Sequence, residues 1–144
     1  VEIYLTKQNF ALYPATDDDA EKLMRLKKGV VLRCEVKQAR NYEFLKKYFS
    51  LINCAYHFLT EQETEAFNGV DHFRKQVEIA SGWCTTVWSI KRGEYVDEAK
   101  SISFGKMSQD EFNVLYDNVK NTLFSMVLKG RISETDFINE LINY

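Results

Sequence analysis

The sequence predicts an α+β fold, a single domain over 1–144 in which a small antiparallel sheet with a central hairpin packs against long helices. Three observations lead there. Apolar residues recur at three- and four-residue spacing over 41–60 and again over 108–127, the period of helices that bury one side. Two aromatic and β-branched runs, 83–90 and 95–104, flank Lys91-Arg92-Gly93-Glu94, a hairpin turn with its glycine where positive φ is wanted. With 144 residues, 45% of them hydrophobic, the chain can build one core, and one proline and six glycines leave no room for a stalk or long linker.

The elements follow in order. Residues 2–5 and 10–13 read as short strands around the polar turn 6–9, with Pro14 ending the second. Thr16 is placed to cap a short helix, because its hydroxyl can accept a free backbone N–H and Asp17, Asp18 and Asp19 suit the positive end of the dipole. Leu23, Met24 and Leu26 form its apolar side, and Lys27-Lys28-Gly29 closes it. The β-branched run 30–36 is expected to be a strand.

Asn41 opens a helix of about 20 residues to Thr60, ~30 Å long, whose buried stripe is Phe44, Tyr48, Leu51, Ile52, Ala55 and Leu59. Glu61, Glu63 and Glu65 are read as a solvated acidic loop, and 70–80 as a helix that buries Phe73, Val77 and Ala80. After the hairpin, Ser108-Gln109-Asp110-Glu111 matches the capping box, in which serine accepts the N–H three residues on and glutamate reaches back. The helix that follows turns Phe112, Leu115, Tyr116, Val119, Leu123, Met126 and Val127 inward and stops at Gly130. Ser133 begins a final helix, within a tail 130–144, that buries Phe137, Ile138 and Leu141.

Chemistry is sparse. Cys54, His57, His72 and Cys84 are the available metal ligands, yet zinc sites announce themselves by a close pair such as C-x-x-C, which is absent. No metal, cofactor or disulfide is expected, and Cys34, Cys54 and Cys84 are odd in number and widely spaced, as in a reducing compartment. Asp97, Glu98 and Lys100 form the one tempting acidic group, but neighbours on a strand point to opposite faces. Without a nucleophile motif or a phosphate-binding glycine loop, an enzyme is the less favoured reading. The N-terminal residues lack a signal-peptide pattern, and the longest charge-free stretch, 48–60, is shorter than a membrane span. A cytoplasmic protein without membrane attachment is expected, its oligomeric state open.

Charge is more informative. The chain is mildly acidic, at a net −2, but segregated. From 22 to 47 nine basic residues face two acids, a local net of +7, whereas 48–73 has four acids and no lysine or arginine. Such a basic region can neutralise phosphates. The candidate nucleic-acid-binding residues are Arg33, Lys37, Arg40, Lys46 and Lys47, extended by Arg74 and Lys75. Tyr42, Trp83 and Trp88 offer stacking surfaces, and Lys100, Ser101 and Ser103 offer donors on a serine-rich strand 100–107. On that strand Ile102 and Phe104 should face the core, with Ser101 and Ser103 outward beside the paired strand around Val87.

The stretch Arg40-Asn41-Tyr42-Glu43-Phe44-Leu45-Lys46-Lys47-Tyr48-Phe49 resembles a family of uncharacterised proteins from tailed bacteriophages and prophages. So do Phe73-Arg74-Lys75 with Gly82 beyond, and 100–107 leading into Glu111-Phe112 and Leu115-Tyr116. Leu12, Pro14 and Lys28-Gly29 fit the same outline, so that the likeness runs from about residue 10 to 125. The resemblance implies an accessory of phage DNA replication or recombination. A more distant similarity to NinB-type recombination mediators, which bind single-stranded DNA, rests on Arg40 and the aromatic helix, although Phe44-Leu45 stands where those proteins have a Gln-Asn pair. Non-specific binding of nucleic acid through a basic face is the expected function. The alternative is a small non-enzymatic protein that docks on a host or phage protein.

Overall fold

The fold is α+β: among the described residues, six α-helices and two separate two-stranded antiparallel sheets. The computed structural model describes residues 1–37 and 41–144, and the chain divides into two compact units, Val1–Lys37 and Gln38–Tyr144.

In the first unit β1 (Leu5–Gln8) pairs with β2 (Ala11–Pro14), Leu5 opposite Pro14 and Gln8 opposite Ala11. Both strands lie later than the sequence pattern suggests, because Asn9 takes a left-handed φ of 55° and sets the turn at 9–10. Helix α1 (Asp17–Met24) starts as expected, its Thr16 hydroxyl accepting the Asp19 N–H at 3.2 Å. Asp19 also accepts the Tyr4 N–H at 2.9 Å and is the one buried residue of this unit. Leu23 and Met24, expected inward, are exposed, Met24 to 82%. The helix stops before Lys27-Lys28-Gly29, and residues 30–36 form no strand. A β-branched run fits a pleated surface only where another strand pairs with it, and none does among the described residues.

The second unit is built on α2 (Tyr42–His57), whose Tyr48, Leu51, Ile52, Cys54 and Ala55 are buried. The Asn41 side chain makes no cap. It instead donates to the Phe104 and Met107 carbonyls, at 2.5 and 2.8 Å, across 63 and 66 residues of chain. The supposed acidic loop is a helix, α3 (Glu61–Phe67). Its capping box lay in the sequence as Thr60-x-x-Glu63: the hydroxyl accepts the Glu63 N–H at 3.3 Å and the carboxylate accepts the Thr60 N–H at 2.8 Å. Helix α4 (Val70–Ala80) buries Phe73, Val77 and, unexpectedly, Glu78, leaving Ala80 exposed.

Strands β3 (Cys84–Ser89) and β4 (Glu94–Ala99) pair from Cys84–Ala99 to Ser89–Glu94, with Gly93 at φ 64° in the turn. Val87 pairs with Val96 on the half-buried side, and Trp88 with Tyr95 on the open side. The expected strand 100–107 does not form, since β3 offers no residue beyond Cys84 to pair with it; one last bond joins the Lys100 N–H to the Trp83 carbonyl at 3.3 Å. A 3-10 turn, Phe104–Lys106, follows.

Helix α5 (Gln109–Thr122) carries the predicted capping box and stacks Phe112 on Phe44 of α2, ring centroids 4.4 Å apart. A π turn over Leu123–Val127 then adds one residue to the helical repeat. The Leu128 N–H donates to the Leu123 carbonyl at 2.8 Å, and Leu128 enters the core while Met126 faces solvent. Helix α6 (Glu134–Leu141) buries Phe137 and leaves Ile138 exposed.

Candidate functional site

A cleft of about 580 Å³ opens beside Trp83. The end of α4 and start of β3 supply Ser81, Gly82 and Trp83; the segment before α5 supplies Ser101, Ser103, Lys106 and Met107; α5 itself supplies Asp110, Glu111, Val114, Leu115 and Asn118. The helical contribution is one row, spaced by three and four residues. The Lys100 ammonium lies over the Trp83 ring, 5.4 Å from its centre. The indole Nε1 of Trp83 is buried and meets no acceptor among the described residues. Glu111 is committed to the Ser108 N–H at 2.9 Å. Asn41 holds the wall around Lys106 through the carbonyls of Phe104 and Met107.

Of the residues singled out in the sequence, Lys100, Ser101 and Ser103 are therefore brought together with Trp83 and Lys106. Ser101 and Ser103 face outward and Ile102 and Phe104 inward, as expected, but they border an open cleft instead of a paired strand. Sequence reasoning missed Val114 and Asn118. The available signal was Val114 itself, an apolar residue outside the buried row 112, 115, 116 and 119, and 62% exposed.

The remaining candidates are dispersed in role. Arg33 and Lys37 are exposed in the first unit, where Lys37 pairs with Glu35 at 3.2 Å. Lys22 and Arg25 pair with Asp18 and Glu21 one turn away, which drains the basic excess of that region. Arg40 lies outside the described residues. In the second unit Tyr42 is half-buried, Lys46 is exposed, and exposed Lys47 rests over the Tyr116 ring at 4.7 Å. Trp88 stands in the open, edge-on to Tyr95 at 5.1 Å.

Arg74 leaves the list. Its side chain is only 15% exposed and donates to Glu78 Oε1 and Asp71 Oδ1, each at 2.7 Å, while stacking over Phe49. Burial lowers its pKa, but Asp71 and Glu78 outweigh that and raise it; Arg74 in turn holds the Asp71 carboxyl below its ordinary range. The Tyr48 hydroxyl donates to the same Glu78 oxygen at 2.8 Å, and burial, followed by the Glu78 charge, pushes the phenol far above its usual range. This guanidinium is spent on a fully buried carboxylate. Lys75 is half-exposed and pairs with Asp71 at 3.5 Å, so its charge is partly answered too.

Among the described residues no group of three or more His, Cys, Asp or Glu could hold a metal ion, and no helix is long and apolar enough to cross a membrane. The three cysteines are free thiols, and burial raises the pKa of Cys54. What the cleft offers chemically is adhesion: an indole, apolar side chains, hydroxyls, the Lys106 ammonium, two carboxylates, and a second ammonium, Lys100, over the indole.

A family-wide sequence profile described as "Protein of unknown function (DUF1367)" matches residues 2–64 and 59–143. The chain belongs to this family. No curated protein and no solved structure matches it. The DUF1367 match is wider than the stretch 10–125 read from the sequence, and it takes in the helical tail. Its two segments overlap at 59–64, where α2 hands over to α3 and Thr60 makes its cap.

Proposed function

We propose that this protein binds nucleic acid without base specificity, as an accessory of phage or prophage DNA replication or recombination. The observation that carries the reading is the state of four lysines in the second unit. Lys46, Lys47, Lys100 and Lys106 make no ion pair among the described residues, whereas Arg74, Lys75 and Arg131 are matched to Glu78, Asp71 and Glu63. Unmatched ammonium groups are free to neutralise phosphates and so release the cations condensed along a nucleic-acid strand. Lys47 and Lys100 each rest over an aromatic ring, which restrains them and lowers the entropy lost on binding. The resemblance to phage and prophage proteins supports the cellular role, and the likeness to NinB-type mediators supports single strands as the ligand.

The test is salt dependence. Binding of a fluorescent oligothymidylate should weaken with added KCl along a log–log slope of about −3, the value for four phosphate contacts on a single strand. The double variant Lys46→Glu/Lys47→Glu should cut that slope to roughly half. No binding at low salt, or binding indifferent to salt, overturns the reading.

One observation favours a second reading, a small protein that docks on another protein. The first unit buries no apolar side chain and exposes Phe10, Met24, Val31 and Val36. A segment of that size has no core of its own, and a partner with an apolar surface would cover it. Salt-insensitive association with a protein, and none with nucleic acid, would decide for that reading.

A further inference from the structure

We propose that the cleft beside Trp83 receives one unpaired base of a bound strand, with the flanking phosphates held outside by Lys100 and Lys106. The inference rests on the nucleic-acid reading and names the site that reading lacks.

Size comes first: about 580 Å³ lies within the range of roughly 300–1,000 Å³ typical of small-molecule sites. The apolar part of the lining, Trp83, Met107, Val114 and Leu115, suits the faces of a heterocycle, and exposed Val114 stands to lose water on contact. In the polar part, Ser101, Ser103 and Asn118 are groups that both donate and accept, while Ser81, whose hydroxyl donates to the Glu78 carbonyl at 2.8 Å, can accept. Such groups can answer the edge of any base, which agrees with binding that does not discriminate.

Charge then orients the ligand. Asp110 and Glu111 line the cleft, and their carboxylates oppose a phosphate entering it. A neutral base meets no such opposition. Lys106 at the lining and Lys100 above the indole supply the cations a strand needs on either side of an inserted base. The walls are held in advance: Asn41 pins the Phe104 and Met107 carbonyls, and the Ser108–Glu111 capping box fixes the first turn of α5. A preformed site loses less entropy on binding.

The experiment uses the whole chain carrying Trp88→Phe, which leaves Trp83 as its single tryptophan. It is titrated with an oligothymidylate and with an abasic strand of equal length. Expected are quenching of Trp83 by the first strand alone and an affinity for the abasic strand lower by about tenfold or more, the scale of base–aromatic stacking, at equal salt slope. Val114→Phe, at an exposed position, should fill the cleft and reduce oligothymidylate affinity to the abasic level without lowering abasic binding. Equal affinities for both strands, or equal quenching by both, would overturn the base site while leaving non-specific nucleic-acid binding intact. Binding of neither strand would overturn the function and the site together.

Discussion

Arg74→Met tests whether α4 is anchored by a buried charge. Methionine keeps the apolar stem against Phe49 but deletes the guanidinium, so that, among the described residues, fully buried Glu78 retains only the Tyr48 hydroxyl on Oε1 and nothing on Oε2. Removing one partner of a buried pair costs about 3–5 kcal/mol. Urea unfolding of parent and variant at pH 7, followed by circular dichroism, reads the difference, provided the m-value is unchanged. The triple variant Tyr48→Phe/Arg74→Met/Glu78→Leu, which removes the whole polar group, should be more stable than Arg74→Met alone. A loss below about 1 kcal/mol at pH 7, or a triple variant no more stable than Arg74→Met, would refute the reasoning.

Four further outcomes are expected. The Arg131 guanidinium first, then the Thr60 N–H, hold Glu63 down at about 2, below its unfolded value of 4.5. Its stabilisation is thus complete above about 4.5 and fades as pH falls toward about 2, and calorimetric melting temperatures of parent and Glu63→Gln should converge over that window; a constant gap would count against the pair. Asn41→Ala strips the donor from two carbonyls and should cost about 1–3 kcal/mol, with hydrogen exchange rising most around residues 104–107; unchanged exchange there would deny it a positioning role. Ser101→Ala/Ser103→Ala should hold thermal stability within about 0.5 kcal/mol yet weaken oligonucleotide binding, and a large drop in melting temperature would make both serines scaffold. Leu128→Ala should cost about 2–5 kcal/mol and Met126→Ala under about 0.5 kcal/mol; the reverse order would mean that α5 continues without its π turn.

Local rules carried the helices. Thr16, Ser108 and Ser133 each accept an N–H in the first turn of the helix they were read to start, since a cap depends only on residues three apart. Thr60-x-x-Glu63 obeys the same rule, but Glu61, Glu63 and Glu65 in a row of alternate positions equally suit a solvated loop, which hides the cap. The stripe of α2 survived because a 3.6-residue period is intrinsic to the backbone, and one side of the helix meets the core along its length. Lys46 and Lys47 off that stripe are exposed for the same reason.

What required a segment distant in the chain was not legible. The runs 30–36 and 100–107 carry strand composition, but a strand exists through its partner, and β3 ends the ladder at Cys84 while no strand pairs with 30–36 among the described residues. Arg74 and Lys46 are equivalent as cations in a sequence; burial beside Glu78 commits the first, and exposure leaves the second available. The cleft is likewise tertiary, joining residues 81–83, 101–107 and 110–118 that are neighbours only once α4, the hairpin and α5 have packed. The sequence by itself determined the caps at Thr16, Ser108 and Ser133, the inner face of α2 and the turn at Gly93, whose energies are set within one or two turns of chain. Tertiary structure alone decided which strand-like runs stayed unpaired, which charges were cancelled and where a binding surface opened, because those depend on groups that long stretches of chain hold apart until the core closes.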